Sequence, residues 1–173
     1  MVDKSVGLIV MVDVPGIGLV AVLRERGFFN PEEMKPESWP GACQVTAHGG
    51  LKEGEDFLSA LLREVSEELG NDFALHFSLL IAVNPTTLGK VSHCQNGEKE
   101  VVTFAIKMDS LLLRKIRFGP ESGSIRLVSL EETSKIADIA SFDRVVGVQD
   151  RKIIAMFPDE KQAVVSAFAL VCS

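Results

Sequence analysis

Glu64, Glu67 and Glu68 lie in the stretch REVSEELG, residues 63–70, and at 100° per residue a helix would gather them within an arc of about 100°. Like charges one turn apart repel by about 0.2–0.5 kcal/mol per pair, so a fold that crowds them needs something to neutralise them. A hard divalent cation such as Mg²⁺ would do so, because it takes oxygen ligands and completes its shell with water and substrate phosphates. A solvated acidic face is the competing reading of the same residues.

The residues upstream bear on that choice. Gly49, Gly50 and Gly54 allow the loop entering the helix to take positive φ and bring backbone carbonyls close to the carboxylates. Arg63 stands beside the cluster, where its fork can pin a carboxylate through two parallel bonds. Glu55, at the helix start, suits the free N–H groups and the positive end of the helix dipole and is expected to organise the loop.

Positioning these groups takes a helix with one buried side. From Asp56 the apolar residues Phe57, Leu61, Val65 and Leu69 recur at steps of four, and Gly70 ends the pattern as a C-terminal cap. Before it, the β-branched run Val6 to Val14, the turn at Pro15-Gly16 and the run IGLVAVLRER read as a hairpin. Residues 27–41 carry three prolines and form a long loop, and ACQVTAHGG is a short strand running into glycines. After the helix, FALHFSLLIAV reads as β-rich, Asn84 to Glu100 as a loop with an Asn96-Gly97 turn, and VVTFAIKM and IRLVSL as strands. The tail from Asp159 to about Val171 has apolar residues at helical intervals.

With these residues in view, the segment 49–70 resembles the Nudix box of the Nudix hydrolases: Gly49, five residues, Glu55, seven residues, then Arg63, Glu64, Val65, Ser66, Glu67, Glu68, Leu69 and Gly70. Asn71 stands where the family usually has an aliphatic residue, and Lys52 where many members have an acidic one. The resemblance implies an α/β fold, an α/β/α sandwich around a mixed β-sheet, covering residues 1–173 as one domain. It also implies hydrolysis of a nucleoside diphosphate linked to another group. Glu64, Glu67 and Glu68 would bind Mg²⁺, or Mn²⁺, with the Gly49 carbonyl as a backbone ligand, and would be catalytic. Gly50, Gly54, Glu55, Arg63 and Gly70 would shape the motif.

A further catalytic Glu in the loop FGPESGSIRLVSL, as some members carry, would be Glu121, with Glu98 and Glu100 as rivals. Arg24 and Arg26, at the end of the second strand, would reach substrate phosphates, and Trp39 would stack on a base. Phe142 and Asp143 lie where relatives sometimes read the base. Two other functions stay open: an isomerase of the isopentenyl diphosphate type, for which Cys43 would be the catalytic thiol, and a nucleotide-binding module without turnover.

The 173-residue chain is the size of one domain, and its 46% hydrophobic and 24% charged fractions fit a globular protein. A net charge of −6 argues against a duplex nucleic acid partner and leaves a small nucleotide, with a homodimer open. The apolar run near the start is about half the length a membrane span needs. Three widely spaced cysteines point to reduced thiols and a cytoplasmic setting.

Overall fold

The computed structural model describes residues 2–172 apart from Glu32, Pro120 and Glu121. The chain runs β1 (Asp3–Val14), β2 (Gly18–Arg26), β3 (Phe29–Asn30), β4 (Lys35–Pro36), β5 (Cys43–Gln44), β6 (Ala47–Gly50), α1 (Phe57–Leu69), α2 (Asn71–Val83), β7 (Leu88–Asn96) and β8 (Lys99–Met108). It continues through β9 (Ser122–Ser129), α3 (Leu130–Thr133), β10 (Ala137–Asp138) and β11 (Ala155–Met156) to α4 (Pro158–Cys172).

The main sheet is mixed, in the order β5-β2-β1-β8-β7, with β6 also pairing β1 and β9 also pairing β2. Only β1 and β8 run parallel in it, over Asp3–Val12 against Lys99–Met108. Helices cover both faces of β1, so its burial is continuous rather than alternating. Val6, Leu8, Val10 and Val12 pack towards α1 and α2, with Leu61, Val65, Leu69, Phe73 and Phe77. Ile9 and Met11 pack on the other side with Ala163, Val164, Ala167 and Phe168 of α4. The result is the expected α/β/α sandwich.

The sheet forks along β1. Its C-terminal half pairs with β2, from Val10↔Val22 to Val14↔Gly18, while its N-terminal half, Ser5–Leu8, pairs with β6. Thr46 fills the crotch: its buried hydroxyl accepts from the Val10 N–H at 2.8 Å and donates to the Val22 carbonyl. These two backbone groups would otherwise be orphaned where the strands part. The divergence opens a cleft between β2, β5 and β6, beside the C-terminal half of α1.

Two expectations are corrected. FALHFSLLIAV is a helix, not a strand, because Gly70, at φ 88° and ψ 156°, turns the chain and Phe73, Phe77, Leu80 and Ile81 then meet the α1 side of the core at helical spacing. Asn71, the departure at the end of the box, starts this second helix and accepts a 2.7 Å bond from the Ser66 hydroxyl. Residues 84–100 are largely strand β7, joined to β8 through the expected turn, with Gly97 at φ 55°. Among the described residues no helix is long and apolar enough to cross a membrane.

Candidate active site

Helix α1 begins at Asp56, whose carboxylate caps the Ser59 N–H at 2.7 Å. One residue earlier, Glu55 accepts from the Lys52 N–H at 2.8 Å and takes Arg63 in a two-bond pair at 2.8 and 2.9 Å. Arg63, first, and the Lys52 N–H hold the Glu55 carboxyl down at about 2. The same guanidinium donates to the Gly50 carbonyl at 2.7 Å, to Glu64 at 2.5 Å and to Glu67 at 2.9 Å. Arg63 therefore ties the glycine loop, the helix start and two box carboxylates into one unit.

Glu64 is buried, 8% exposed, and lies directly over Gly49. A Cβ placed on Gly49 would stand 1.9 Å from its carboxylate carbon, so the loop must be glycine there for Glu64 to occupy this position. Glu67 is half-exposed between Arg63 and the Lys52 ammonium, the latter at 3.4 Å. Lys52, a departure from the family pattern, thus supplies countercharge to the box.

Glu68 points into the cleft. It accepts from the His48 N–H at 2.8 Å and forms an ion pair with Arg24. Burial pushes its carboxyl up to about 7, against the pull of Arg24 and the His48 N–H, and the Glu64 charge adds to the rise. Beside it Arg26 donates to Glu37 at 2.7 Å and to Gln44 at 3.1 Å.

Each box carboxylate is thus placed against a cation of the chain itself. Among the described residues no three His, Cys, Asp or Glu side chains converge on one point. The donor set is nonetheless all carboxylate oxygen and suits a hard divalent ion in kind. Such an ion would take over countercharge that Arg24, Arg63 and Lys52 provide here.

Other expected site residues are placed differently. Trp39 does not line the cleft: its ring packs edge-on against Phe157 at 5.5 Å and its indole N–H donates to the Phe142 carbonyl at 3.2 Å. Asp143 accepts from the Val145 and Val146 N–H groups at 2.8 and 2.9 Å. Glu100 is engaged by Lys4 and His93, each at 3.0 Å, on the face of β8 opposite to Lys99. The Glu98 carbonyl caps the start of β1 through the Asp3 N–H. Glu121 lies outside the described residues. Cys43 is 1% exposed within the core, and burial drives its thiol up to about 12, which disfavours the thiolate an isomerase mechanism would use.

Two adjoining cavities of about 240 Å³ each open from the cleft and share Arg26, Gln44 and His48 as a common wall. The one beside the box is bounded by Arg24, Glu25, Glu37 and Glu68. The other runs between β7, β8 and the start of α4, past Val101, Thr103, Phe157, Asp159 and Glu160. His48, a wall of both, is kept neutral by burial, first, and by Lys99 and Arg24, its imidazolium held down to about 4. Sequence reasoning missed Lys99, Asp159 and Glu160. The two-residue period of β8 would have put Lys99 on the same face as Val101 and Thr103, but nothing in the sequence joins β8 to the start of α4.

With this geometry in view, the comparisons are informative about the fold. No family model and no curated protein matches the chain. Solved structures do. A MutT/Nudix family protein from Listeria innocua superposes with a TM-score of 0.62 at 17% identity, over 98% of this chain and 94% of that one. The Nudix domain of Shewanella oneidensis NrtR, determined with ADP ribose, gives 0.60 at 13% identity, over 99% and 89%. A Caenorhabditis elegans Ap4A hydrolase gives 0.56 at 15% identity, over 99% and 98%. The chain has the Nudix fold.

Proposed function

We propose that the protein is a divalent-metal-dependent hydrolase that cleaves a phosphoanhydride bond in a nucleoside diphosphate linked to another group. The observation that carries this reading is the junction of α1 with the cleft, where Glu64 rests on Gly49 and Glu68 meets Arg24 and the His48 N–H. Mg²⁺, or Mn²⁺, would be held by Glu64, Glu67, Glu68 and the Gly49 carbonyl. When bound, it supplies charge neutralisation on the phosphates and acidifies a water. Arg24 and Arg26 bind and orient phosphate oxygens, for which their planar forks are matched. A carboxylate of this cluster, or one from a later loop, takes the proton of the attacking water. Arg63 holds the carboxylates in register while this happens.

The ADP ribose bound to the NrtR domain and the name of the worm Ap4A hydrolase support a small nucleotide as substrate class. The experiment is a panel of oxidised nucleoside triphosphates, ADP-ribose, nucleotide sugars and dinucleoside polyphosphates, each with Mg²⁺ and with EDTA, scored by released phosphate or pyrophosphate. Mg²⁺-dependent release from at least one compound is expected. No release from any, or release that survives EDTA, would overturn the reading.

A further inference from the structure

On the reading above, the box-side cavity of about 240 Å³ receives phosphate, yet its walls carry three carboxylates, Glu25, Glu37 and Glu68, against two guanidinium groups, Arg24 and Arg26. An incoming phosphate is repelled by that surplus, so each carboxylate needs a reason to be there. Two have one. Glu68 belongs to the box and is held by Arg24 and the His48 N–H. Glu25 is buried towards β9, accepting from the Ser124 hydroxyl at 3.2 Å with the Arg126 guanidinium 3.8 Å away.

Glu37 is different. It comes from the long loop rather than from the box, and among the described residues its carboxylate is bonded to one side chain, Arg26, whose Nη2 donates to Oε2 at 2.7 Å. The pair is largely enclosed, with 23% of the Arg26 side chain and 13% of the Glu37 side chain exposed. Both backbones are fixed. The Arg26 N–H donates to the Ala42 carbonyl at 2.8 Å and the Arg26 carbonyl accepts from the Gly41 N–H at 3.0 Å, while the Glu37 N–H donates to the Phe28 carbonyl at 3.1 Å across the base of the β3–β4 hairpin. Arg26 and Glu37 can therefore exchange partners by moving side chains alone. With Nη1 held by Gln44 at 3.1 Å, both terminal nitrogens of Arg26 are engaged. A phosphate that takes the planar fork in two parallel bonds must displace Glu37 from Nη2, or share that nitrogen with it at the cost of like-charge contact.

We propose that Glu37 is a positioning residue that acts through Arg26: it competes with the ligand's phosphate for the guanidinium, and so limits how tightly phosphate is held in the cavity. A phosphate, with more charge and three acceptor oxygens, displaces the carboxylate and then occupies a fork that Glu37 had kept aligned across the cavity. The assignment rests on the reading of Arg26 as a phosphate-binding residue, and its test is binding without turnover.

The experiment is isothermal titration calorimetry of inorganic pyrophosphate, in buffer with EDTA at one ionic strength, on wild type, Glu37→Gln, Arg26→Met and the double variant. Glu37→Gln is expected to bind at least about tenfold more tightly than wild type, because the ligand no longer has to break a charge-assisted bond. Arg26→Met should bind at least about tenfold more weakly, and adding Glu37→Gln to it should change affinity by less than about threefold. A residue that only holds the loop in place would weaken binding when replaced, so the direction of the change separates the two roles. Glu37→Ala should show the same gain and serves if the glutamine protein does not fold. Glu37→Gln binding no more tightly than wild type would overturn the proposal, as would pyrophosphate binding to none of the four proteins. An equal gain with and without Arg26 would also overturn it, since that marks a general relief of negative charge. No hydrolysis is measured, so a failed substrate panel leaves these affinities standing, and a failure here leaves the panel's result standing.

Discussion

The carboxylate of Glu64 occupies the space into which any side chain on Gly49 would project, with 1.9 Å between its carbon and a Cβ built there. Of the three glycines expected to take positive φ only Gly54 does, at 80°; Gly49 and Gly50 lie in β6, and Gly49 is needed for absent volume rather than for backbone freedom. Gly49→Ala should displace Glu64 and lower kcat by at least about a hundredfold, with an overpacking cost of about 1–3 kcal/mol. Turnover and urea midpoints measured together check it. Unchanged turnover would mean that Glu64 does not act from this seat.

Arg63 makes five hydrogen bonds, to Glu55, Glu64, Glu67 and the Gly50 carbonyl. A lysine keeps the charge and loses the planar fork. Arg63→Lys should therefore lower the melting temperature by a few degrees and kcat by at least about tenfold. A variant indistinguishable from wild type in both would show that the loop and helix are held together by other contacts.

The buried carboxyl of Glu160 makes stability depend on pH. Its proton affinity is raised in the fold, from 4.5 to about 8, so the folded state binds the proton more tightly than the unfolded state. That stabilisation is fully present below about pH 4.5 and is lost as pH rises through about 8. Glu68, raised to about 7, contributes with the same sign, so the diagnostic is a difference. Between pH 5 and 8.5, wild type should lose more stability than Glu160→Gln in urea titrations. Parallel curves would contradict this.

Cys43 is sealed in the core with its thiol pushed up to about 12. Cys43→Ala should keep turnover within about twofold while losing about 1 kcal/mol of stability, as a small core truncation does. Loss of activity in a fully folded variant would revive the isomerase reading.

The sandwich was legible because its decisive signals are local: β-branched runs for β1 and β2, steps of four in α1, and Gly70 as a stop. Helix α2 was misread because FALHFSLLIAV is apolar on nearly every side, so neither a period of two nor one of 3.6 stands out, and packing against α1 decides. In the candidate site, Glu64, Glu67 and Glu68 stood out in the sequence through their crowding on one helix face. Their partners Arg24, Lys52 and Arg63 come from β2, the glycine loop and α1 itself, and the Arg24 pairing depends on the fork that Thr46 bridges. Trp39 was expected in the cleft, but the Phe142 carbonyl and the Phe157 ring hold it in the neighbouring core. Glu160 was missed because only the sheet joins it to Val45 and Lys99.

The central claim is that the box carboxylates are gathered for a divalent ion, and that Arg24, Lys52 and Arg63 hold a place the ion takes over. Melting temperature against Mg²⁺ at constant ionic strength, for wild type and Glu68→Gln, tests it most directly. An ion that binds only the folded state stabilises it by RT ln(1 + [L]/Kd), about 2.7 kcal/mol at a hundred times Kd, or a few degrees for a domain of this size. The account predicts a saturable rise of that order in wild type, and a much smaller one in Glu68→Gln. A wild-type melting temperature that Mg²⁺ leaves unchanged, with and without nucleotide, would contradict it and leave the three glutamates as a surface neutralised by the chain's own arginines and lysine.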